Sequence, residues 1–209
     1  MATTHARTRR TTIGAGLVLT LTALLSVSTA SPAAAGGTVF ADGFEQPQIS
    51  TDFVTFGKGQ ALGPWTVTSG NVDLTSDWQA AEGGQSLDLN GDQPGSVART
   101  VPTSLLTTYR VTYALAGNPD GGAIVTTGTV TANGATVDSF SFDTAGHSPS
   151  DMGYVHRTFY FTNLLSASTT LQFGSTTASV WGPVIDGVRV DSCLLVICPS
   201  GAGKSNRLS

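Results

Sequence analysis

The sequence is poor in charged side chains, above all in those that favour helices. Asp, Glu, Lys and Arg make up 11% of the 209 residues, and only two of the fourteen acidic residues are glutamates. Helices usually contain more Ala, Leu, Glu and Lys than this chain offers. Thr, Ser, Gly and Val are abundant instead, and several aspartates stand beside glycines, which is typical of turns. We therefore expect an all-β protein.

Basic side chains are scarce as well, and three of the ten Lys and Arg residues fall within the first ten positions. Removal of residues 1–35 would leave seven basic residues against fourteen acidic ones. Proteins that bind nucleic acid or anionic membranes through charge need clustered basic residues, and here they are dispersed. The composition therefore argues against both kinds of partner.

The N-terminal segment lacks an apolar run long enough to span a bilayer, which takes about 20 residues. Residues 1–10 are polar and basic, residues 13–27 are mostly apolar but broken by threonines, and small residues lead to Ala33-Ala34-Ala35. This is the pattern of a secretory signal peptide. We predict cleavage after Ala35, a secreted product without a stable membrane span, a binding domain over residues 36–192 and a short tail over residues 193–209.

The chain has only two cysteines, Cys193 and Cys198, with four apolar residues between them. In an exported protein, a close pair is expected to form a disulfide. A metal site is a poorer alternative, because two thiolates need further ligands and no histidine is nearby in the sequence. We expect the bond to be a local clip on the C-terminal tail.

Apolar and polar residues alternate along much of the predicted domain, which is typical of half-buried strands. Residues 109–115 alternate cleanly, and Asn133-Gly134 separates two alternating runs, a strong hairpin signal. Residues 51–64 and the centre of the stretch 65–91 are interpreted as loops. About nine or ten strands spaced by roughly 8 to 15 residues predict an antiparallel sandwich or jelly roll.

Residues suited to catalysis occur without a recognisable arrangement. No serine stands in a G-x-S-x-G pattern. His147 lies in a polar loop and His156 in an alternating strand, where both can be ordinary surface residues. Glycoside hydrolysis needs two acids at a fixed separation, and Glu45 and Glu82 have no diagnostic context. We predict that the protein is not an enzyme, with a cryptic hydrolase as a remote alternative.

Several aromatic and short polar residues lie where predicted strands are joined, and such loops often carry function. Aromatic faces can stack on sugar rings, while Asn, Asp and Gln side chains can orient sugar hydroxyls. The candidate carbohydrate-binding residues are Trp78, Tyr154, Trp181, Asp73, Asp77 and Gln79. The alternative is that these aromatic residues pack in the core, as we expect for Trp65, because tryptophan is usually largely buried.

Motifs spread over nearly the whole predicted domain resemble those of the choice-of-anchor C family. These secreted bacterial proteins are related to the plant cell-wall proteins of the domain-of-unknown-function 642 family. The resemblance implies a galactose-binding-like jelly roll and extracellular, wall-associated binding. The matching segments are GFEQP (43–47), GPWTVTSGNVDL (63–74), GGQSLDLNG (83–91), PGSV (94–97), AGNPDGG (116–122), FDTAGHSPSDMGY (142–154), TTLQF (169–173) and GPVIDGVRV (182–190).

The resemblance also implies a structural calcium site. In jelly-roll binding modules, an N-terminal Phe-Glu and a C-terminal Ile-Asp often meet where the first and last strands pair, and the matching residues are Glu45 and Asp186. Calcium takes six to eight oxygen ligands, which two carboxylates and the carbonyls of residues 83–85 could supply. The alternative is that Glu45 caps a turn and Asp186 pairs with Arg189 or a backbone amide.

Together these features predict a secreted, non-catalytic module that binds carbohydrate or a cell-wall polymer. The alternative is a structural or adhesive surface protein whose partner is another protein.

Overall fold

A computed structural model of the chain describes residue 1, residues 36–194 and residue 198. The predicted signal peptide and most of the predicted tail therefore lie outside the described residues. Within residues 36–194, no helix is long and apolar enough to cross a bilayer.

Thirteen strands and one short 3-10 helix, Pro119–Gly121, make up the described fold, which confirms the predicted all-β class. The strands are β1 (Thr38–Asp42), β2 (Phe53–Gly57), β3 (Ala61–Leu62), β4 (Trp65–Ser69), β5 (Asn71–Thr75), β6 (Ser86–Asp88), β7 (Ser96–Pro102), β8 (Thr107–Gly117), β9 (Val125–Ala132), β10 (Ala135–Asp143), β11 (Val155–Asn163), β12 (Ser168–Ser175) and β13 (Pro183–Ser192).

The strands form two antiparallel sheets. The first sheet has the order β11-β8-β13-β6-β5-β2, with β1 paired to β13, and the second has the order β10-β9-β12-β7-β4-β3. The strand count exceeds the predicted one because β2, β3 and β5 occupy segments interpreted as loops. Glycines flank these strands but do not interrupt their pairing, as in β2, which pairs with β5 from Phe53 to Gly57.

The core lies between the two sheets, and its composition follows from the alternation along the strands. In β8, Tyr109, Val111, Tyr113 and Leu115 are buried, as predicted. The Tyr113 ring meets that of Phe173 from the second sheet, with 5.2 Å between centroids. These contacts identify the inner face of the first sheet.

Trp65 is a core residue, as expected, with 1% of its surface exposed. Its ring stacks on Phe44 and meets Phe173 edge-on, with centroids 5.8 and 5.9 Å away. Its indole nitrogen donates a hydrogen bond to Asp42 Oδ2 at 2.7 Å. Burial of the ring and pairing of its polar atom together fix the start of β4 against the other sheet.

The predicted hairpin at Asn133-Gly134 is confirmed. Strands β9 and β10 pair on either side of it, with Ala132 opposite Ala135. Asn133 and Gly134 have φ values of 48° and 82°. Positive φ at both central residues is what a two-residue hairpin turn requires, and Asn-Gly is the preferred pair for it.

The predicted disulfide between Cys193 and Cys198 is also confirmed. Cys193 directly follows β13, is 5% exposed and donates its backbone N–H to the Thr108 carbonyl at 2.8 Å. The hydrogen bond places Cys193 next to the beginning of β8, and the disulfide ties Cys198 to Cys193.

The outer face of the first sheet, which points away from the second sheet, is partly covered by loops. Leu74, Leu87 and Ile185 are register partners on the inner face, so Asp73 and Asp88, one position away, point outward. The segments 76–85 and 144–154 are joined by a backbone hydrogen bond between Gln79 N and Pro149 O. Loops that cover a sheet face create enclosed sites there.

Candidate functional site

A cavity of about 330 Å³ opens beside the outward-facing side chains of β2, β5 and β6. The loop after β8 and the loop before β13 complete its wall. The lining residues are Phe53, Thr55, Asp73, Thr75, Asp77, Trp78, Asp88, Gly91, Asp92, Asn118, Asp120, Val180 and Trp181. Residues far apart in the sequence thus converge on one concave surface.

Four of the six predicted carbohydrate-binding residues line this cavity: Asp73, Asp77, Trp78 and Trp181. Trp181 is 39% exposed, so its ring is accessible to a ligand. Asp77 is exposed beside it on the rim, whereas Asp73 lies deeper, half-buried on β5. The structure therefore brings together residues that the sequence only placed in or beside loops.

Trp78 differs from the expectation of an indole with a free face, because only 9% of its surface is exposed. Its indole nitrogen donates to Ser86 Oγ at 2.9 Å, which holds the ring on the outer face of β6. The loop that carries Trp78 folds back over the sheet, so a small part of the ring reaches the cavity. Trp78 therefore forms part of the cavity wall and also packs on the outer face of β6.

Tyr154 and Gln79 are not among the residues that line the cavity. Tyr154 is half-buried against the core, and its hydroxyl is buried without a hydrogen-bond partner. Burial raises the pKa of this hydroxyl above its usual range. The Gln79 side chain is exposed, while its backbone N–H bonds the Pro149 carbonyl. The Gln79 backbone therefore joins two loops, while Tyr154 packs against the core.

Asp88 forms the floor of the cavity and was not among the predicted residues. It is 1% exposed and accepts hydrogen bonds from Asn90 N and Asn118 Nδ2, both at 2.8 Å. Burial raises the pKa of Asp88 to about 8, and these hydrogen bonds only partly oppose that effect. Asp88 is therefore mostly protonated at neutral pH.

Asp73 lies opposite Asp88 in the register of β5 and β6. Its Oδ1 accepts a 2.6 Å hydrogen bond from Thr55 Oγ1. Burial raises the pKa of Asp73, the Thr55 hydrogen bond lowers it, and the charge of Asp92 raises it further. Burial therefore favours the protonated form of both aspartates on the cavity floor.

The rim combines acidic and apolar side chains. Asp92 and Asp120 are exposed, and so are Phe53 and Val180, at 57% and 45%. Two family-like segments, GGQSLDLNG and AGNPDGG, contain Asp88, Asn118 and Asp120 and were the available signal for these missed residues. A ligand in this cavity would meet aromatic and apolar surface together with hydrogen-bond acceptors.

The predicted calcium ligands Glu45 and Asp186 both contact the loop between β5 and β6. Glu45 Oε1 accepts from Gly84 N and Gln85 N at 2.9 and 3.0 Å, and Asp186 Oδ2 accepts from Ala81 N and Glu82 N at 2.8 Å. These contacts match the alternative interpretation, in which Glu45 caps a turn and Asp186 pairs with a backbone amide. The amide protons occupy acceptor sites that a cation would use, so the residues fit calcium only in part.

Two further features bear on chemistry at these acidic residues. Burial raises the pKa of Asp186 to about 7, against the lowering effect of its backbone hydrogen bonds. Within the described part of the chain, no three Asp, Glu, His or Cys side chains are grouped so that they could hold a metal ion. The calcium site stays a prediction.

Neither histidine of the described domain lines the cavity. The His147 ring packs against Phe142, with 5.2 Å between centroids, and His156 is exposed on β11. The cavity therefore offers carboxylates and amides but no imidazole.

Comparison with known families identifies one match to the sequence. The model of DUF642, described as a protein of unknown function, matches residues 39–191. This span contains all thirteen strands except the first residue of β1 and the last of β13. A search of curated proteins finds no match.

Solved structures with a similar fold include carbohydrate-binding modules. The CBM22-1 xylan-binding domain of Paenibacillus barcinonensis Xyn10C has a TM-score of 0.51 and 18% identity, over 76% of this chain and 96% of that one. A family 35 carbohydrate-binding module from Clostridium thermocellum has a TM-score of 0.47 and 13% identity, over 67% and 98%. The first likeness confirms the predicted jelly-roll sandwich, and at this identity it shows the fold alone.

Proposed function

Since the chain belongs to the DUF642 family, whose members share a domain of unknown function, we propose that it binds carbohydrate or a cell-wall polymer without catalysis. The binding site is the cavity beside Trp181. One observation carries the proposal: a partly exposed indole shares a concave surface with aspartates and an asparagine. Ligand sites combine such apolar walls with a few convergent polar groups.

Each part of the cavity has a role in this proposal. The Trp181 ring stacks on a sugar face, and Phe53 extends the apolar wall. Asp73 and Asp92 accept hydrogen bonds from sugar hydroxyls. Protonated Asp88 accepts hydrogen bonds from Asn90 and Asn118, and its main role is to fix the shape of the cavity floor. Because Asp88 is almost wholly buried, it is poorly placed to transfer a proton to a substrate.

The proposed setting is the outside of the cell. The motifs shared with the choice-of-anchor C family and the predicted signal peptide support secretion and attachment to a cell wall. The described disulfide agrees with an oxidising compartment. The name of the family 22 module states that it binds xylan, which makes xylan a reasonable member of the test panel.

We also propose that calcium binds near Glu45 and Asp186. The fold brings these carboxylates, which are distant in sequence, to one loop, residues 81–85. Bound calcium would neutralise their charges and join the segment before β2 to β13. Since their hydrogen bonds to backbone amides already serve part of this purpose, calcium would add stability and would not be needed for folding.

The test of carbohydrate binding is retention of the mature protein on cellulose, xylan, pectin, chitin and peptidoglycan. Trp181→Ala should keep its melting temperature and lose retention. By analogy with base stacking, the loss is about 1–3 kcal/mol. Tyr160→Ala is the matched control, because Tyr160 is 55% exposed on β11 and does not line the cavity.

Three results would contradict the proposal. If no polysaccharide retains the wild-type protein, the alternative of an adhesive protein with a protein partner takes its place. If Trp181→Ala and Tyr160→Ala are both retained like the wild type, binding occurs elsewhere on the surface. Release of reducing ends from a retained polysaccharide would show that the protein is a hydrolase.

A further inference from the structure

The cavity beside Trp181 is acidic to an unusual degree for so small a site. Five of its thirteen lining residues are aspartates, two on the floor and three on the rim, and none of the lining residues is Lys, Arg or His. A protein whose charged residues make up only 11% of the chain thus gathers five of its fourteen acids in one place.

None of the five basic residues within residues 36–194 lines the cavity, and Lys58, which follows β2, is exposed outside it. Its three ion pairs join Arg110 and Arg189 to Asp191, and Arg157 to Asp138, none of which lines the cavity. Arg99 lies over the Phe40 ring, 5.5 Å from its centroid, and donates to the Pro64 carbonyl. Asp77, Asp92 and Asp120 therefore give the rim of the cavity a negative potential that no lining side chain balances.

A second, independent feature shows that the acidic cluster belongs to a ligand site. Apolar and aromatic side chains line the same cavity, and three of them, Phe53, Val180 and Trp181, are 39–57% exposed. Any side chain at position 182 would clash with Asp88 Oδ1 and Asn90 Oδ1, so both acceptors lie directly against that loop.

A metal ion would not use these features. The cavity aspartates do not form a group of three placed to hold a metal. A volume of about 330 Å³ with an aromatic wall suits an organic ring. An ammonium group on such a ring can contact a carboxylate and also the face of an indole.

We propose that the ligand is a polymer of amino sugars with free ammonium groups, such as oligomers of glucosamine, and that the cavity excludes acidic glycans. This inference rests on the proposed carbohydrate binding at the same site. The rim aspartates Asp92 and Asp120 attract the ammonium groups, while Trp181 stacks on a ring. Uronic acid polymers place carboxylates against these aspartates, and like charges in contact oppose binding.

The test is titration of the protein with three oligomers of equal length. Tryptophan fluorescence reports the binding of each oligomer. The oligomers contain glucosamine, N-acetylglucosamine or galacturonic acid, at a pH where the amines are protonated and with chelator present. We expect binding in this order: glucosamine, then N-acetylglucosamine, with no binding of galacturonic acid. Added salt should weaken the first interaction more than the second, because salt screens exposed charges.

Asp92→Asn and Asp120→Asn should each weaken glucosamine binding by about twofold to fivefold, the scale of one exposed ion pair. Binding of the N-acetylated oligomer should weaken less, because an amide oxygen at these positions can still accept a hydrogen bond from a sugar hydroxyl. Asp151→Asn is the control, since Asp151 is also exposed and does not line the cavity.

The outcomes separate this inference from the proposed function. Equal binding of the neutral and cationic oligomers, or binding of galacturonic acid, overturns the inference and leaves carbohydrate binding in place. An equal loss in Asp151→Asn also overturns it, because the effect would then come from net charge. If none of the three oligomers binds while another polysaccharide retains the protein, the inference is also overturned. Failure of every glycan to bind contradicts the proposed function itself.

Discussion

Asp73 on β5 lies directly opposite Asp88 on β6, so two carboxyl groups meet on the outer face of one sheet. Like charges at opposite positions of an antiparallel pair destabilise it. The pair persists because burial raises the pKa of both carboxyls, and that of Asp88 reaches about 8. At neutral pH one member is mostly protonated, which removes much of the repulsion.

This pair predicts that the protein becomes less stable as the pH rises towards 8. Between the ordinary pKa of 3.8 and the folded value near 8, folded Asp88 holds a proton that the unfolded chain releases. The free energy of unfolding therefore falls with rising pH across this window, on the order of a few kcal/mol for a fully buried carboxyl. Asp186 acts in the same direction up to about pH 7. Urea unfolding at several pH values measures the slope.

Asp88→Asn tests the origin of this slope, because the amide resembles the protonated carboxyl and does not titrate. The variant should show a flatter dependence of stability on pH than the wild type. Asp143→Asn changes an exposed aspartate outside the cavity and should keep the wild-type slope. An unchanged slope in Asp88→Asn would show that Asp88 titrates normally.

The three tryptophans should separate into two core residues and one binding residue. Trp65 and Trp78 are 1% and 9% exposed, and each donates its indole N–H to a partner, so Trp65→Ala and Trp78→Ala should each cost roughly 3–5 kcal/mol. Trp181→Ala should change stability by about 0.5 kcal/mol or less. Urea unfolding of the three variants measures this. If Trp78→Ala is as stable as the wild type, the Trp78 ring is accessible to solvent, as the sequence alone predicts.

The sequence predicts the sandwich well because strand alternation and turn chemistry are local. The buried side of β8 and the Asn133-Gly134 turn both follow from residues that are near neighbours in the chain. Alternation shows which residues share a face of a sheet, but not whether a loop covers that face. Asp88 therefore has the pattern of a solvent-facing strand residue, although it is 1% exposed.

The candidate site was predicted only in part, because sequence patterns are local and do not show which distant residues meet. Trp181 and Asp77 were recognisable because short polar residues and glycines surround them in the sequence. Asp88 and Asn118 meet only through the pairing of β6, β13 and β8, which no local pattern specifies. The charge of the cavity depends on aspartates from three separate segments, residues 73–77, 88–92 and 118–120, and is visible only in the structure.

Removal of the disulfide should cost little stability. Only five positions separate Cys193 from Cys198, so by chain entropy the bond contributes about 2 kcal/mol at most. The double variant Cys193→Ser with Cys198→Ser should therefore fold and unfold in urea with a slightly lower midpoint. Intact mass after alkylation, with and without reductant, should show two thiols that are blocked only after reduction. Alkylation of both cysteines in the untreated exported protein would show that the bond does not form.

Calcium should raise the melting temperature through Glu45 and Asp186. A ligand that binds only the folded state stabilises it by about 2.7 kcal/mol at a hundredfold excess over its dissociation constant, which corresponds to several degrees. Melting curves of the wild type in calcium and in chelator measure this difference. Asp186→Ala also loses hydrogen bonds to Ala81 and Glu82, so its baseline stability falls in both conditions. The informative quantity is therefore the difference between the two conditions.

Glu45→Gln is the milder variant, because an amide oxygen can still accept the hydrogen bonds from Gly84 and Gln85 that now reach Glu45 Oε1. Its melting temperature in chelator should stay near that of the wild type, while the rise in calcium should shrink. Asp143→Asn should keep the full rise, because it removes one negative charge without touching this loop. If the wild-type melting curves in calcium and in chelator are identical, Glu45 and Asp186 bond only the backbone amides and do not bind calcium.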